Sequence, residues 1–208
     1  MLLLANAHTA RAAGVVGTGT ADSCTEAALD AALDGGGLVT FDCGPEAVTI
    51  TITQQKTISS DTTVDGGGLV TLDGNDAVRA FWVAQGQALT VENLAIVKGN
   101  ATDAGGGAIF NDGGTLTVTN STFTDNASST SSLGGTLTVT DSTFTGNTAS
   151  AIANAAGATA TVTNSTFTDN HSNDLGGGGI ANRGRSPLPT VPSPTTASAP
   201  STTAAHSA

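Results

Sequence analysis

Two carboxylates stand at equivalent places in a phrase that this sequence repeats. Asp125 and Asp169 each follow Phe-Thr, and Gly146 holds the same place in the copy between them. Glycoside hydrolysis requires two carboxyl groups that face one cleft, on either side of the scissile bond. Because the copy with Gly146 intervenes, Asp125 and Asp169 would lie two repeats apart. We therefore expect no hydrolytic pair at these positions.

A second group of ionisable residues lies in a less regular part of the chain. Its members are Asp61, Asp65, Asp73, Asp76 and Arg79. A polysaccharide lyase that acts on uronates needs carboxylates to hold Ca²⁺ and a basic side chain to act on the sugar. This group is therefore the candidate site for an alternative function, that of a polysaccharide lyase or hydrolase. The sequence predicts no complete catalytic, cofactor-binding or metal-binding set, and no cofactor is expected.

Rows of Thr-x-Thr are a third feature with a possible chemical use. Thr117 and Thr119, Thr138 and Thr140, and Thr161 and Thr163 alternate with apolar residues. Regularly spaced hydroxyl and methyl groups can order water, so an ice-binding face is one hypothesis. Threonine is also a favoured residue on the solvated face of a strand, and Glu92 interrupts the row. The sequence favours the structural explanation.

Three near-copies of one phrase determine the predicted architecture. They occupy residues 118–126, 139–147 and 162–170, and their phenylalanines, Phe123, Phe144 and Phe167, are 21 and 23 residues apart. Such a period, with strand-like alternation inside each copy, is typical of coils that stack on one another. The sequence therefore predicts an all-β solenoid of about six coils over residues 38–182. At ~4.8 Å per coil the rod would be about 30 Å long.

The same repeat predicts which side chains form ladders along the rod. Leu116, Val118 and Phe123 should point inward and stack on their equivalents, while the threonines point outward. The asparagines at the junction of strand and turn are Asn126, Asn147 and Asn170. We expect these three to form an amide ladder that satisfies backbone groups of the turns.

One helix is predicted before the solenoid. Residues 23–34 carry an apolar stripe that begins with the capping box Ser23-Cys-Thr-Glu26 and ends at three glycines. A short amphipathic helix at this place would act as a lid that covers the open end of the first coil. The helix and the repeats together assign residues 17–183 to one solenoid domain.

Two cysteines flank the predicted helix. Cys24 opens it, and Cys43 ends the first predicted strand. Two cysteines alone form no zinc site. In an exported protein they would form a disulfide that ties the lid to the first coil, whereas in a cytosolic protein they would be two buried free thiols.

The overall composition limits the classes of partner. The net charge at pH 7 is −11, with six lysines and arginines in total, so the phosphate backbone of a nucleic acid would be repelled. No apolar run approaches the ~18 residues that a membrane-spanning helix requires. The candidate partners are instead glycans or proteins of a host or cell surface.

The first residues indicate export. Residues 1–16 are predicted to be a disordered start that retains the end of a signal peptide, because Met1–Ala7 combines three leucines with a small-x-small cleavage pattern. We therefore expect an extracellular or cell-surface protein.

Two groups of motifs resemble known families. Gly-Gly-Ala-Ile at 106–109, followed by Phe-x-x-Asn at 123–126, 144–147 and 167–170, resembles the polymorphic outer-membrane protein repeat. The stretch Gly17–Gly44 resembles the opening of secreted bacterial proteins of the pectate-lyase-like superfamily. The resemblance implies a right-handed parallel β-helix that is exported, often as the passenger of a surface-anchored protein. The hypothesis that the sequence favours is a non-catalytic exported or cell-surface module with a structural or adhesin-like role.

The last residues differ abruptly from the repeats. Residues 184–208 are rich in Pro, Ser, Thr and Ala, which is typical of a disordered linker. When the third base of each codon is read with the first two bases of the next, residues 184–196 can also encode the twelve residues found at 115–126. We therefore hypothesise that the tail is a frameshifted repeat. The last coil would then be an uncapped end that favours end-to-end self-association.

The frameshift hypothesis makes a prediction about the gene. We expect the DNA of codons 184–196, read in the shifted frame, to encode Thr-Leu-Thr-Val-Thr-Asn-Ser-Thr-Phe-Thr-Asp-Asn. Sequencing the DNA across this stretch is the measurement. A shifted frame that does not encode the repeat would end the hypothesis.

Overall fold

The chain winds into a parallel β-solenoid of six coils, with one strand and one helix before the first coil. The computed structural model describes residues 14–101, 106–127, 130–132, 135–148, 152–154, 158–171 and 180–182. Every strand pair within these ranges is parallel, as the repeat predicts. The start at residues 1–13, the tail at 184–208 and the predicted self-association through that end lie outside the described residues.

Each coil contributes to three faces, with one strand in each face or with one long strand that continues from the first face into the second. The first face contains β1 (Gly14–Val16), β2 (Gly37–Phe41), the beginnings of β5 (Thr62–Asp73) and β7 (Ala88–Val97), β9 (Thr115–Thr119), β12 (Thr136–Thr140) and β15 (Thr159–Thr163). The second face contains β3 (Val48–Thr51), the ends of β5 and β7, β10 (Thr122–Thr124), β13 (Thr143–Thr145) and β16 (Thr166–Thr168). The third face contains β4 (Lys56–Ile58), β6 (Phe81–Val83), β8 (Ile109–Asn111), β11 (Thr130–Ser132), β14 (Ile152–Asn154) and β17 (Ile180–Asn182).

Inward side chains stack on their equivalents without an offset. In the first face, Leu116 pairs with Leu137, and Val118 pairs with Val139; all four are buried. In the second face the rings of Phe123 and Phe144 stack with centroids 4.8 Å apart and planes 5° apart. Phe167 continues the stack, with its centroid 5.0 Å from that of Phe144. The predicted solenoid and its inward ladder are confirmed.

The corner between the first two faces has a simple chemical cause. Residues in the left-handed backbone region turn the chain there, and they are Asn93, Asn120, Asp141 and Asn164, with φ between 47° and 51°. Asparagine and aspartate tolerate this region better than other residues with a side chain. One such residue in each of the last four coils therefore bends the sheet at the same place.

Some strand boundaries differ from the sequence-based expectation. Gly14–Val16, which we assigned to the irregular start, pairs with β2, so the solenoid begins before residue 17. Residues 62–73 form one strand whose pairing shifts between Asp65 and Val70, where the chain has three consecutive glycines. Strand β4 begins with an inward lysine, Lys56, so its sequence does not show the apolar alternation of a strand.

The helix also begins later than predicted. Helix α1 spans Glu26–Leu33, and Thr25 is its N-cap, because the Thr25 Oγ1 accepts a hydrogen bond from Ala28 N at 3.2 Å. The predicted cap, Ser23, lies in a short 3₁₀ turn, where its hydroxyl accepts from Thr18 N and donates to Thr20 O. Since that hydroxyl is already engaged, the next hydroxyl along the chain caps the helix.

Helix α1 is held to the first coil by a buried lysine. Lys56 Nζ lies 2.6 Å from Glu26 Oε1 and 2.7 Å from Asp30 Oδ1, and its side chain is almost fully buried. The Glu26 carboxylate also accepts hydrogen bonds from Thr53 N, Thr53 Oγ1 and Gln54 N. Leu29 of the helix is fully buried against the core. The helix therefore covers the end of the solenoid, as the lid hypothesis requires.

The contacts of Glu26 alter its acidity. Burial on its own raises the pKa of this carboxyl, but the hydrogen bonds from Lys56, Thr53 and Gln54 outweigh burial and lower the pKa from 4.5 to about 2. A carboxyl whose pKa is lower in the folded state stabilises the fold above its unfolded pKa. That stabilisation is lost as the pH falls from about 4.5 towards 2.

We expect Glu26→Gln to weaken the attachment of the helix at neutral pH. One pKa unit corresponds to about 1.4 kcal/mol of free energy of unfolding. Because this carboxylate is partly exposed, solvent weakens its interactions, and we expect a loss of about 1–2 kcal/mol in the free energy of unfolding. Thermal unfolding, followed at a series of pH values from 7 to 2, is the measurement. The variant should lose less stability than the wild type on acidification.

The matched control is Glu46→Gln, because Glu46 is an exposed glutamate. Equal effects of the two substitutions, or a Glu26→Gln variant with an unchanged pH profile, would contradict this account of the helix attachment.

Candidate functional site

The predicted cysteine pair is joined in the structure. Cys24 and Cys43 form a disulfide with their Cα atoms 5.6 Å apart, and both residues are buried. The bond ties the segment before helix α1 to the residues that follow β2. It therefore fixes the chain just before the lid, and Lys56 fixes the first turns of the helix itself. Disulfides of this kind persist mainly in oxidising compartments.

The three predicted asparagines form one continuous ladder. Asn126 N donates to Asn147 Oδ1 at 2.9 Å, and Asn147 N donates to Asn170 Oδ1 at 3.1 Å. The amide nitrogens donate to backbone carbonyls one coil back, as from Asn147 Nδ2 to Phe123 O at 3.1 Å. Asn126 and Asn147 are fully buried. These side chains thus provide hydrogen-bond partners for the backbone N–H and C=O groups at the place where the chain leaves the second face.

A second ladder, of serines, was missed by the sequence analysis. Ser121, Ser142 and Ser165 each follow the corner between the first and second faces. Ser121 N donates to Ser142 Oγ and Ser142 N to Ser165 Oγ, both at 3.2 Å. Each hydroxyl donates in turn to the backbone carbonyl two residues earlier. A serine at the same place in every copy of the repeat was the signal that could have revealed it.

Outward threonines of the first face form a regular array. Its three columns are Thr115–Thr136–Thr159, Thr117–Thr138–Thr161 and Thr119–Thr140–Thr163. We call these nine residues the threonine face. The middle column extends through Thr90 to Thr63, whereas Glu92 takes the place before Thr119 in the third column. Glu92 therefore interrupts one column only, in the coil before the threonine face begins.

The candidate acids of the less regular part accept hydrogen bonds from their own turn or from the next coil. Asp61 Oδ1 accepts a hydrogen bond from Ala88 N at 2.9 Å. Asp65 Oδ1 accepts from Gly67 N at 3.0 Å and from Asn93 Nδ2 at 2.8 Å. Asp73 Oδ1 accepts from Asn75 N at 2.8 Å. These carboxylates hold turns between strands, and Asp76, with φ of 55°, is itself a turn residue.

Arg79 is enclosed rather than presented to a substrate. Only 3% of its surface is exposed. Its Nε donates to Gly106 O at 2.7 Å and its Nη1 to Gln55 Oε1 at 2.9 Å. The guanidinium also lies 5.5 Å from the ring centroid of Trp82 and 5.0 Å from that of Phe110. Arg79 therefore connects neighbouring coils of the third face, and it cannot reach a sugar without rearrangement.

The structure brings one pair of candidate carboxylates side by side. Asp65 and Glu92 are register partners on adjacent strands of the first face, about 4.8 Å apart along the axis. Asp125 and Asp169 are kept apart by the intervening coil, where the Asp125 carboxylate lies over the Gly146 Cα. Among the described residues, no three His, Cys, Asp or Glu side chains come together as a metal site requires.

Comparison with known proteins supports the fold. A family model for a right-handed β-helix region matches residues 39–191. No curated protein and no solved structure matches the chain. Within the part of the chain that the structure describes, no helix has the length and apolar character needed to cross a membrane.

We expect Asn147→Ala to break the asparagine ladder at its centre. The substitution leaves Asn126 N and Phe123 O without their partner, and each buried unpaired group costs about 1–3 kcal/mol. Since solenoids need not unfold in one step, the midpoint of thermal unfolding and of urea unfolding should both be measured.

The control is Thr148→Ala, which truncates an exposed side chain in the next position. We expect the control to unfold like the wild type and Asn147→Ala to unfold clearly earlier. Identical midpoints for the two variants would show that the ladder contributes no stability.

Proposed function

The chain belongs to the right-handed β-helix family, and from that premise we propose that it is a non-catalytic module of an exported or cell-surface protein. Its role would be structural or adhesin-like, with glycans or proteins of a cell surface as partners. The observation that carries the proposal is the use of the ionisable side chains. The candidate acids Asp61, Asp65 and Asp73 are engaged in turns, and Arg79 is engaged in the packing of the third face.

Each engaged group has lost part of the freedom that catalysis requires. A general base must reach the proton that it removes, and a basic residue of a lyase must reach the sugar. Asp61, Asp65 and Asp73 accept hydrogen bonds from the backbone, and Arg79 is enclosed by two aromatic rings. These contacts support a scaffold more than an active site.

The outward surface supports a binding role. Each of the last three coils repeats the same outward threonines on its first and second strands, so the surface presents one chemical pattern several times. A rigid rod with a repeated surface suits contacts that are weak singly and strong together. That is the arrangement expected of an adhesin-like or structural module.

Three features support export. The disulfide between Cys24 and Cys43 needs an oxidising compartment to persist. The Gly-Gly-Ala-Ile and Phe-x-x-Asn motifs resemble the polymorphic outer-membrane protein repeat, and the first residues resemble the end of a signal peptide. These features favour an extracellular or cell-surface location.

The alternative, a polysaccharide lyase or hydrolase, has one specific observation in its favour. Asp65 and Glu92 lie side by side on the outward surface of the first face, where a long glycan could reach them. Asp65 Oδ1 already accepts two hydrogen bonds, which reduces its use as a base. The pair nevertheless defines the residues to substitute in a test.

We expect the oxidised full-length chain to leave glycans intact and to bind a surface ligand. The assay combines depolymerisation of pectin-like and other acidic glycans, with and without Ca²⁺, with binding to a glycan array and to cell-surface proteins. The double variant Asp65→Asn with Glu92→Gln is the comparison, and it should bind as the wild type does.

Turnover by the wild type that the double variant abolishes would instead establish an enzyme with Asp65 and Glu92 at its site. Failure to bind any array glycan or surface protein would count against the adhesin-like role.

A further inference from the structure

The threonine face differs from the other hydroxyl ladder of the protein in how its hydroxyls are used. The serine hydroxyls at the corner donate to backbone carbonyls and accept from backbone N–H groups. Threonine-face hydroxyls, by contrast, form one contact in the part of the chain that the structure describes, between Thr159 and Thr136 at 3.5 Å. These hydroxyls are therefore available for hydrogen bonds to solvent or to a binding partner.

The array is also ordered in two directions. Neighbouring coils place equivalent threonines ~4.8 Å apart along the axis, and alternate residues of one strand lie about 6.6 Å apart across it. The pairing has no offset over the three coils, so the columns run parallel to the rod. Because threonine is β-branched, its χ1 angle is restricted, and the hydroxyl and methyl positions are held before any partner arrives.

Charge is absent from the array itself. The nine positions are all threonine, in a chain whose net charge is −11. The residues that precede the three strands are Gly114, Gly135 and Ala158, so one edge of the array has no bulky side chain. The other edge carries the corner residues, of which Asp141 is charged and exposed. The array is thus an uncharged plane of hydroxyl and methyl groups.

We propose that the threonine face binds ice. A partner that repeats in two directions can contact all nine threonines at once, whereas a single flexible chain would follow only one column. Each hydroxyl contributes little alone, because it exchanges one water contact for another. Nine such groups in one plane add their contributions. Because the protein has already fixed their positions, binding costs little further side-chain entropy.

The composition of the face favours crystalline water over a crystalline polysaccharide. Sugar rings bind well to exposed aromatic side chains, and the threonine face contains none. Trp82 lies on the third face, where it contacts Phe110 and Arg79. The methyl groups between the hydroxyls favour a partner that excludes liquid water from the contact. The inference goes beyond the proposed function, and it does not depend on export or on glycan binding.

The test uses the oxidised full-length chain and two lysine substitutions. Thr138→Lys places a long charged side chain at the centre of the threonine face, and Thr57→Lys makes the same change at an exposed threonine of the third face. Thermal hysteresis and partition into a growing ice crystal are the measurements. Far-UV circular dichroism and the midpoint of thermal unfolding verify that both variants keep the wild-type fold.

We expect the wild type and Thr57→Lys to show hysteresis and to enter the ice. Thr138→Lys should fall to the level of a non-binding acidic protein at the same molar concentration. Thr145→Lys, in the narrower threonine row of the second face, should retain the activity, which assigns the binding to the first face.

Three results would overturn the proposal. One is a wild type with neither hysteresis nor ice partition. Another is a Thr138→Lys variant that is as active as the wild type, or a Thr57→Lys variant that is equally impaired. The third is binding to microcrystalline cellulose or chitin that Thr138→Lys abolishes, without any ice activity, because that would identify the face as a polysaccharide surface.

Discussion

Parallel pairing without an offset is the constraint on which the rest of the structure depends. In the last three coils each strand of the first two faces lies on the strand one coil earlier with equivalent residues opposite one another, as in the pairing of β9, β12 and β15. Any residue type that recurs in the repeat is therefore brought against its own copy. Phenylalanine stacks on phenylalanine, asparagine bonds to asparagine and threonine lies beside threonine. The ladders are thus consequences of one geometric rule.

A stack of this kind has an open end, and the first coil shows how the protein covers it. Helix α1 places Leu29 on the core, and the buried Lys56 pairs with Glu26 and Asp30 of that helix. A buried charge destabilises the fold unless it is paired and hydrogen-bonded. Removing one partner would therefore leave the other as an unpaired charge that destabilises the fold. The Cys24–Cys43 disulfide ties the residues just before the helix to the first coil as well.

The two sides of each strand differ in how their polar groups are used. Inward and corner groups satisfy one another, as the asparagine and serine ladders do, and the candidate acids are engaged in turns. Outward threonines have hydroxyls that can still bind a partner. A surface that repeats one group in two directions is suited to a partner that also repeats. This supports a binding or structural module, and ice is the partner that the uncharged plane favours.

The sequence alone determined the solenoid, its inward residues and the asparagine ladder, because all three follow from a repeat that is visible along the chain. Only the tertiary structure decided which side chains from distant segments become neighbours and which of them are buried. A lysine is usually exposed, yet Lys56 lies inside because the carboxylates of Glu26 and Asp30 in helix α1 neutralise it. Asp65 and Glu92 became neighbours, and Arg79 became enclosed, through pairings that no local pattern encodes. The winding of the chain determines which side chains of different coils become partners. The local sequence around each residue does not determine this winding.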